Sequence, residues 1–389
     1  MTDIAATTEA QVVDAVNGAR DWKSPLNIVG NRTKRAFGCV TGSWGTVLDV
    51  SRLNGIVDYK PEELILTARP GTPVAEIVAV LAEKHQRLGF DPPDWGPLFD
   101  ATANTGTIGG AISCDLNGPA RVRYGAVRDH LLGFHGVNGF GEAFKAGSKV
   151  VKNVTGFDLP KLVCGGFGTL CAMTEVTLRV FPKPEFAATF VCHVPSPAAG
   201  LSVLRRVWSS PLEATGLAYL PAAAARVGLD GDVALIRLEG AAAPLEEKRV
   251  ALEHLLDGHD LAEQAGGDTI FARLGSGAPF VGNALDVWRV AIPPSHADAL
   301  VKALAPTLWY ADWAGGMVWI GMEESGAHIH DLAVQHGGHA TLVRASEATR
   351  ARVSPFPPLS PERLALTRAV KAAFDPLGLF NPGRMVEGL

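Results

Sequence analysis

The chain has 389 residues, 35 lysines and arginines against 40 aspartates and glutamates, and a formal net charge of −5. That mild acidity excludes the basic face a nucleic-acid binder needs to displace counterions, and 47% apolar with 19% charged residues excludes a disordered polymer. At ~100–200 residues per domain, the length implies two or three domains.

Periodicity sets out the elements in order. A helix is predicted over 8–20, opened by Thr7/Thr8 and Glu9, with Val12, Val13 and Val16 on one face. Leu26–Val29, Thr46–Asp49 and 64–68 read as strands. Pro70-Gly71-Thr72 is a turn, and Thr72 is expected to cap a helix over 74–84 with Pro73 at its first position. Strands follow at Leu131–Val137 and 173–180. Pro182-Lys183-Pro184 then breaks the pattern and sets a domain boundary, giving a first domain over 1–185. Beyond it, strands at 190–194, 217–220, 233–238, 288–292, 317–321 and 340–343 alternate with helices at 198–208, 245–256, 296–304 and 327–336. This predicts an α+β layer over 186–345, with helices on one side of a sheet. The tail, 346–389, bends through several prolines, forms a helix over 362–374 and closes on Asn381-Pro382-Gly383-Arg384.

No stretch reaches the ~18 apolar residues of a membrane helix. Residues 1–11 carry acidic groups and no apolar core, so no signal peptide is expected. The five cysteines form no Cys-x-x-Cys pair, which excludes a ferredoxin motif or zinc ribbon on this chain and reads as reduced thiols in the cytosol. There is no Gly-Lys dipeptide and hence no Walker loop. Gly166-Phe167-Gly168-Thr169-Leu170-Cys171 lacks the last glycine of a Rossmann fingerprint and leads into a strand, so it is rejected.

Glycine is the informative residue. Of 43 glycines, 14 fall within residues 104–168, which marks a backbone that turns sharply or approaches something closely. Five polar loops result. Gly30-Asn31-Arg32-Thr33-Lys34 is either an anion nest reinforced by Arg32 or Lys34, or a surface turn. Thr105-Gly106-Thr107-Ile108-Gly109-Gly110 either admits a flat ring or phosphate, or lets two backbones cross. The others are Asn117-Gly118-Pro119-Ala120-Arg121 with Tyr124-Gly125, the run Lys152-Asn153-Val154-Thr155-Gly156-Phe157-Asp158-Leu159, and Gly165 to Leu170 leading into Met173-Thr174.

Together, in this order and with the closing Asn-Pro-Gly-Arg, these loops resemble the flavin-binding domain of the vanillyl-alcohol oxidase or p-cresol methylhydroxylase (PCMH) type. Within it the chain is similar to the E subunits of three-subunit bacterial glycolate oxidases. The resemblance implies an α+β fold: a PCMH-type FAD-binding domain of two α+β subdomains, an α+β cap with an antiparallel sheet, and a C-terminal segment returning to the flavin domain. It implies FAD, with the pyrophosphate on Gly30, Asn31, Arg32, Thr33 and Lys34. Thr105, Gly106, Thr107, Gly109, Gly110, Asn117, Gly118, Tyr124 and Gly125 line pyrophosphate and flavin. Gly168, Thr169, Met173 and Thr174 run beside the ring, and Asn381 approaches it. Covalent relatives use a His in the first loop; none is present here, so non-covalent FAD is expected.

The departures shape the functional expectation. The D-type subunits of the same complexes, and related 2-hydroxyacid dehydrogenases, carry a metal-binding His-x-x-Gly-Asp-Gly-Asn stretch and a Gly-Glu-His-Gly stretch. Here the latter reads Gly337-Gly338-His339-Ala340, the former is absent, and Phe167 and Cys171 replace an acidic residue and a glycine. The expected role is therefore an FAD subunit of a glycolate-oxidising complex. Its partners are a D-type flavin subunit that oxidises glycolate to glyoxylate and an iron–sulfur subunit that takes electrons. It is expected to be cytoplasmic, meeting a membrane only through partners, with no bound metal. The alternatives are a stand-alone 2-hydroxyacid dehydrogenase, or a structural subunit whose Phe167 and Cys171 fill flavin space. His339 is the candidate catalytic residue, for proton transfer. Arg273, Arg289 and Arg344 are either carboxylate clamps or surface charges. Trp309, Trp313 and Trp319, on strand-like segments, read as packing. His328, His330, His336 and His339 read as solvent-facing or core histidines rather than metal ligands.

Overall fold

Thr8 opens the first helix, Glu9–Trp22, by accepting from the Gln11 amide at 3.3 Å. The buried stripe Val12, Ala15, Val16 and Ala19 joins Leu26, Leu48 and Phe380 in one core cluster. The computed structural model describes residues 2–42, 46–148, 157–227 and 229–389; residues 152–156 of the fourth loop lie outside them. The chain divides into two compact units, Met1–Leu116 with Ala126–Lys183 and Pro358–Leu389, and Asn117–Gly125 with Pro184–Pro357.

The first unit holds two main sheets, besides the two-stranded pairing of Gln86–Arg87 with Phe181–Pro182. One is parallel, with Thr46–Asp49 between Thr2–Ala5 and Leu26–Val29. The other is antiparallel, in the order Ile56–Lys60, Ile65–Ala68, Ala172–Arg179, Leu131–Val137, Ala143–Gly147. Its core joins Leu66, Val176 and Leu178 to Ile77 and Leu81 of the helix Val74–Glu83 and to Ile108 and Ile112 of Ile108–Ser113. Thr72 does not cap Val74–Glu83. Pro73 occupies the cap position, and the Thr72 hydroxyl is held in the preceding turn, accepting from Gly55 N at 2.9 Å and lying 2.7 Å from the Arg69 carbonyl.

The second unit is built on an eight-stranded antiparallel sheet in the order Asp260–Glu263, Phe186–His193, Val233–Gly240, Gly216–Leu220, Leu308–Asp312, Met317–Met322, Asp286–Ala291, His339–Arg344. Leu201 and Leu204 of Pro197–Trp208, Leu300 of Ala297–Leu304 and Ile329 of His328–Gln335 pack into its core with Tyr219, Trp288 and Ile320. The edge strand Asp260–Glu263 and the helix Gly267–Gly275 were not predicted. The edge strand buries no residue fully, so it shows no alternation to read. Trp313 is not on a strand: it starts the 3₁₀ turn Trp313–Gly315 with φ +54°.

Two segments lie elsewhere than the sequence reading places them. Residues 117–125, expected in the flavin domain, belong to the second unit: the Trp313 indole donates to the Gly118 carbonyl at 3.0 Å, and Gly275 is small enough for Pro119 to pack on it. Residues 346–357 belong there too, rather than to the returning tail. Leu342 N donates to Pro355 O at 2.8 Å, His330 Nε2 lies 2.9 Å from Ser354 O, and Val353 is in the core. His330 is thus a buried packing residue, edge-on to Trp288.

Candidate functional site

The strand Leu26–Val29 delivers the chain into Gly30, and a left-handed backbone at Arg32, φ +58°, folds the loop over. Gly30 is glycine because a Cβ there would stand 2.8 Å from the Thr107 hydroxyl. Thr107 caps the helix Ile108–Ser113, accepting from Gly110 N at 3.1 Å. The Lys34 ammonium lies 3.1 Å from Thr33 Oγ1. A Cβ on Gly106 or Gly110 would stand 3.8 or 3.6 Å from that ammonium, at ordinary contact distance, so both glycines lie beside it. Gly109 serves the other purpose weighed for this loop, a backbone crossing: its Cβ would strike Pro70 at 2.6 Å.

The cleft is also lined by Phe167, Gly168 and Cys171 and by Asn381 and Arg384 of the C-terminal segment. Gly165, Phe167 and Gly168 all have positive φ. Asn381, itself at φ +41° and almost fully buried, ties three segments together. Its Nδ2 donates to Phe167 O at 2.8 Å, its Oδ1 accepts from Ile28 N at 2.8 Å, and its backbone N donates to Leu26 O at 3.0 Å. Arg384 donates to Arg35 O at 2.7 Å and so braces the first loop.

Eleven predicted site residues line one cleft of the first unit: Gly30, Asn31, Arg32, Thr33, Lys34, Thr107, Gly109, Gly110, Gly168, Met173 and Asn381. Thr105 and Gly106 flank it; the Thr105 carbonyl accepts from Asn31 Nδ2 at 2.8 Å. Two side chains turn elsewhere. Thr169 Oγ1 donates to Gly166 O at 2.6 Å, closing its own turn, and Thr174 Oγ1 donates to Glu9 Oε2 at 2.5 Å. Arg32 is paired with Asp3 and Asp49 at 3.0 Å each, and Lys34, Arg35 and Arg384 line the same cleft. Ser113, Cys114, Val50 and Pro70 also line the cleft and were missed by sequence reasoning. They carry no motif, and they meet there from three separate segments of the chain.

These features fit a dinucleotide. The lining includes Gly30, Gly109, Gly110 and Gly168, which let a ligand approach the backbone, and cations such as Lys34 that can meet a phosphate. Phe167 and Cys171 do not close it: the Phe167 ring rests edge-on against Phe37 at 5.0 Å, Cys171 is packed in the core, and the cleft runs past both. Burial pushes the Cys171 thiol up to about 12 and also raises that of Cys114, so both stay protonated at neutral pH.

In the second unit, Asn117, Gly118, Tyr124 and Gly125 accompany a different cluster. The Arg121 guanidinium stacks 4.5 Å from the Trp313 ring centre, and Arg289 lies 5.2 Å from Trp313 and 5.1 Å from Trp319. His339 starts the strand His339–Arg344 as an exposed residue, and partial desolvation together with Arg289 and Arg121 pulls its pKa below the ordinary value. Arg344 is no clamp: it donates to the carbonyls of Phe280, Asn283 and Leu285, each at 2.9 Å. Among the described residues no group of three or more His, Cys, Asp or Glu is arranged to hold a metal ion.

Comparison with known proteins bears on this geometry. Residues 3–147 match the model of an FAD binding domain, and residues 358–385 that of the C-terminal domain of FAD linked oxidases. The chain is 34% identical to the glycolate oxidase subunit GlcE of Escherichia coli over 97% of both chains. The chain belongs to the GlcE family of FAD-linked oxidases. Like other members of that group it binds FAD. A GlcE-family chain is also similar to the D subunits: identity with glycolate oxidase subunit GlcD of Bacillus subtilis is 25%, over 94% of this chain and 84% of that one. The fold is that of p-cresol methylhydroxylase with substrate bound, at TM-score 0.76 and 14% identity over 99% of this chain and 88% of that one. Alkyldihydroxyacetonephosphate synthase shares it at TM-score 0.72 and 16% identity, over 98% and 76% of the two chains. The C-terminal match contains Asn381 and Arg384, so the returning segment of this GlcE-family chain is part of its flavoprotein architecture.

Proposed function

We propose that this chain is the non-covalent FAD subunit of a complex that oxidises glycolate to glyoxylate, with the substrate step on a D-type partner and electrons leaving to an iron–sulfur partner. The observation that carries this reading is the cleft itself. Lys34 lies beside Gly106 and Gly110, and Asn381 pins the Phe167 loop. In this reading Lys34, the Gly30 loop and the Thr107-capped helix hold the pyrophosphate. The Gly168–Met173 backbone and Asn381 hold the ring, and Phe37 and Phe167 exclude water on one side. FAD supplies two-electron redox chemistry when bound.

The test is to express the chain alone, record its visible spectrum and precipitate it with acid. FAD in the supernatant and no flavin in the pellet is the expected result. A colourless, folded chain that stays colourless when co-expressed with a D-type partner overturns the reading. Glycolate should bleach the flavin only when that partner is present.

One observation favours a second reading, oxidation of a 2-hydroxy acid by this chain itself. His339, held neutral beside Arg121 and Arg289, is suited to accept a hydroxyl proton while guanidinium groups attract a carboxylate. Glycolate-dependent dye reduction by the isolated chain, abolished in His339→Asn, distinguishes it from the first.

A further inference from the structure

Outside the cleft, the first unit encloses a charged pair, Lys371 with Asp375. Lys371 is 7% exposed and Asp375 1%. An ammonium has three N–H donors, and here each has a partner: Asp375 Oδ2 at 2.7 Å, Thr169 O at 2.6 Å and Phe380 O at 3.0 Å. Asp375 in turn accepts from Leu379 N at 2.9 Å and Phe380 N at 2.7 Å. Gly139 packs onto it from the neighbouring hairpin, where a Cβ would stand 2.5 Å from Asp375 Oδ1. A buried pair needs this degree of hydrogen bonding to offset the loss of hydration, and removing one member leaves the other charge stranded.

The placement matters more than the stability. Asp375 shapes the backbone at Leu379 and Phe380, and the next residue is Asn381. Lys371 reaches the other way, to the carbonyl of Thr169, beside Phe167 and Gly168. The pair therefore grips the same two segments that Asn381 joins at the cleft wall.

We propose that Lys371 and Asp375 are positioning residues for the flavin cleft. Buried behind its wall, they set the C-terminal turn against the loop 167–169, so that docking of the C-terminal segment and FAD binding are thermodynamically coupled. Neither residue lines the cleft; they act through Asn381 and the Phe167–Thr169 backbone. The proposal rests on the assignment of the cleft to FAD.

The experiment uses the full chain with Lys371→Met and Asp375→Asn, each checked for folding by circular dichroism, with FAD affinity and flavin spectrum read out. Folded variants should bind FAD at least about tenfold more weakly, with the visible band smoothed toward that of free flavin. Affinity within about twofold of wild type and an unchanged band overturn the proposal, since a purely structural pair would lower stability alone. A second measurement needs no variant. Hydrogen exchange on the wild-type chain should show the amides of Leu379, Phe380 and Asn381 slowing when FAD is added to the apoprotein; unchanged exchange there also overturns it. A wild-type chain that takes up no FAD removes the assignment of the cleft and this proposal with it, whereas wild-type binding with unaffected variants removes only the proposal.

Discussion

Asn381 Nδ2 donates to Phe167 O at 2.8 Å, and the same nitrogen stands 2.8 Å from where a Cβ on Gly168 would be. One contact thus explains two residues: the amide that staples the C-terminal segment, and the glycine that leaves room for it.

Gly168→Ala should therefore damage the cleft twice. At φ +67° an L side chain costs about 1–2 kcal/mol, and the methyl displaces Asn381. Urea unfolding should show that loss, and the purified variant should carry less FAD by its visible-to-ultraviolet absorbance ratio. Full FAD content would place the ring away from this wall.

Lys34 and Arg32 are adjacent in the motif and unequal in role. Lys34→Met should weaken FAD binding about tenfold, and the lost part should be the salt-sensitive part. Arg32→Ala removes a solvent-exposed pair with Asp3, worth about 0–1 kcal/mol, and a half-buried pair with Asp49, neither of which holds a ligand, so FAD affinity should hold. Fluorescence titrations at two ionic strengths check both.

His339 should titrate below 6.5, because partial desolvation of the ring first, and Arg289 and Arg121 after it, disfavour its charged form. Its contribution to stability is complete above 6.5 and is lost as pH falls through the depressed value. Arg289→Leu should move the midpoint upward. An NMR titration of the imidazole reports it; a midpoint unmoved in the variant would remove Arg289 as a cause.

Asp49 bears on acid stability. Burial works to raise its pKa, but hydrogen bonds from Ser51 and Arg32 outweigh this and hold it below 3.8. The stability it brings is present above 3.8 and disappears as pH falls through the lower, folded value. Asp49→Asn should flatten that acid limb in chemical denaturation run at about pH 3 to 5.

The sequence by itself determined the α+β class, most of the strands and helices, the glycine-bearing loops and the family they belong to. Each of these rests on local periodicity or on a short motif. Gly30, Gly110 and Asn381 are named from the family resemblance of their motifs, and all three line the cleft. The tertiary structure decided which of these groups meet. It sent Thr174 to Glu9, paired Arg32 with two carboxylates, moved 117–125 into the second unit through Trp313, and buried Lys371 with Asp375. It also joined Ile28 to Asn381 across 353 residues of chain. No local pattern encodes such pairings, because a hydrogen bond between distant segments depends on how whole sheets and helices pack. That packing is a property of the folded core, not of any window of sequence.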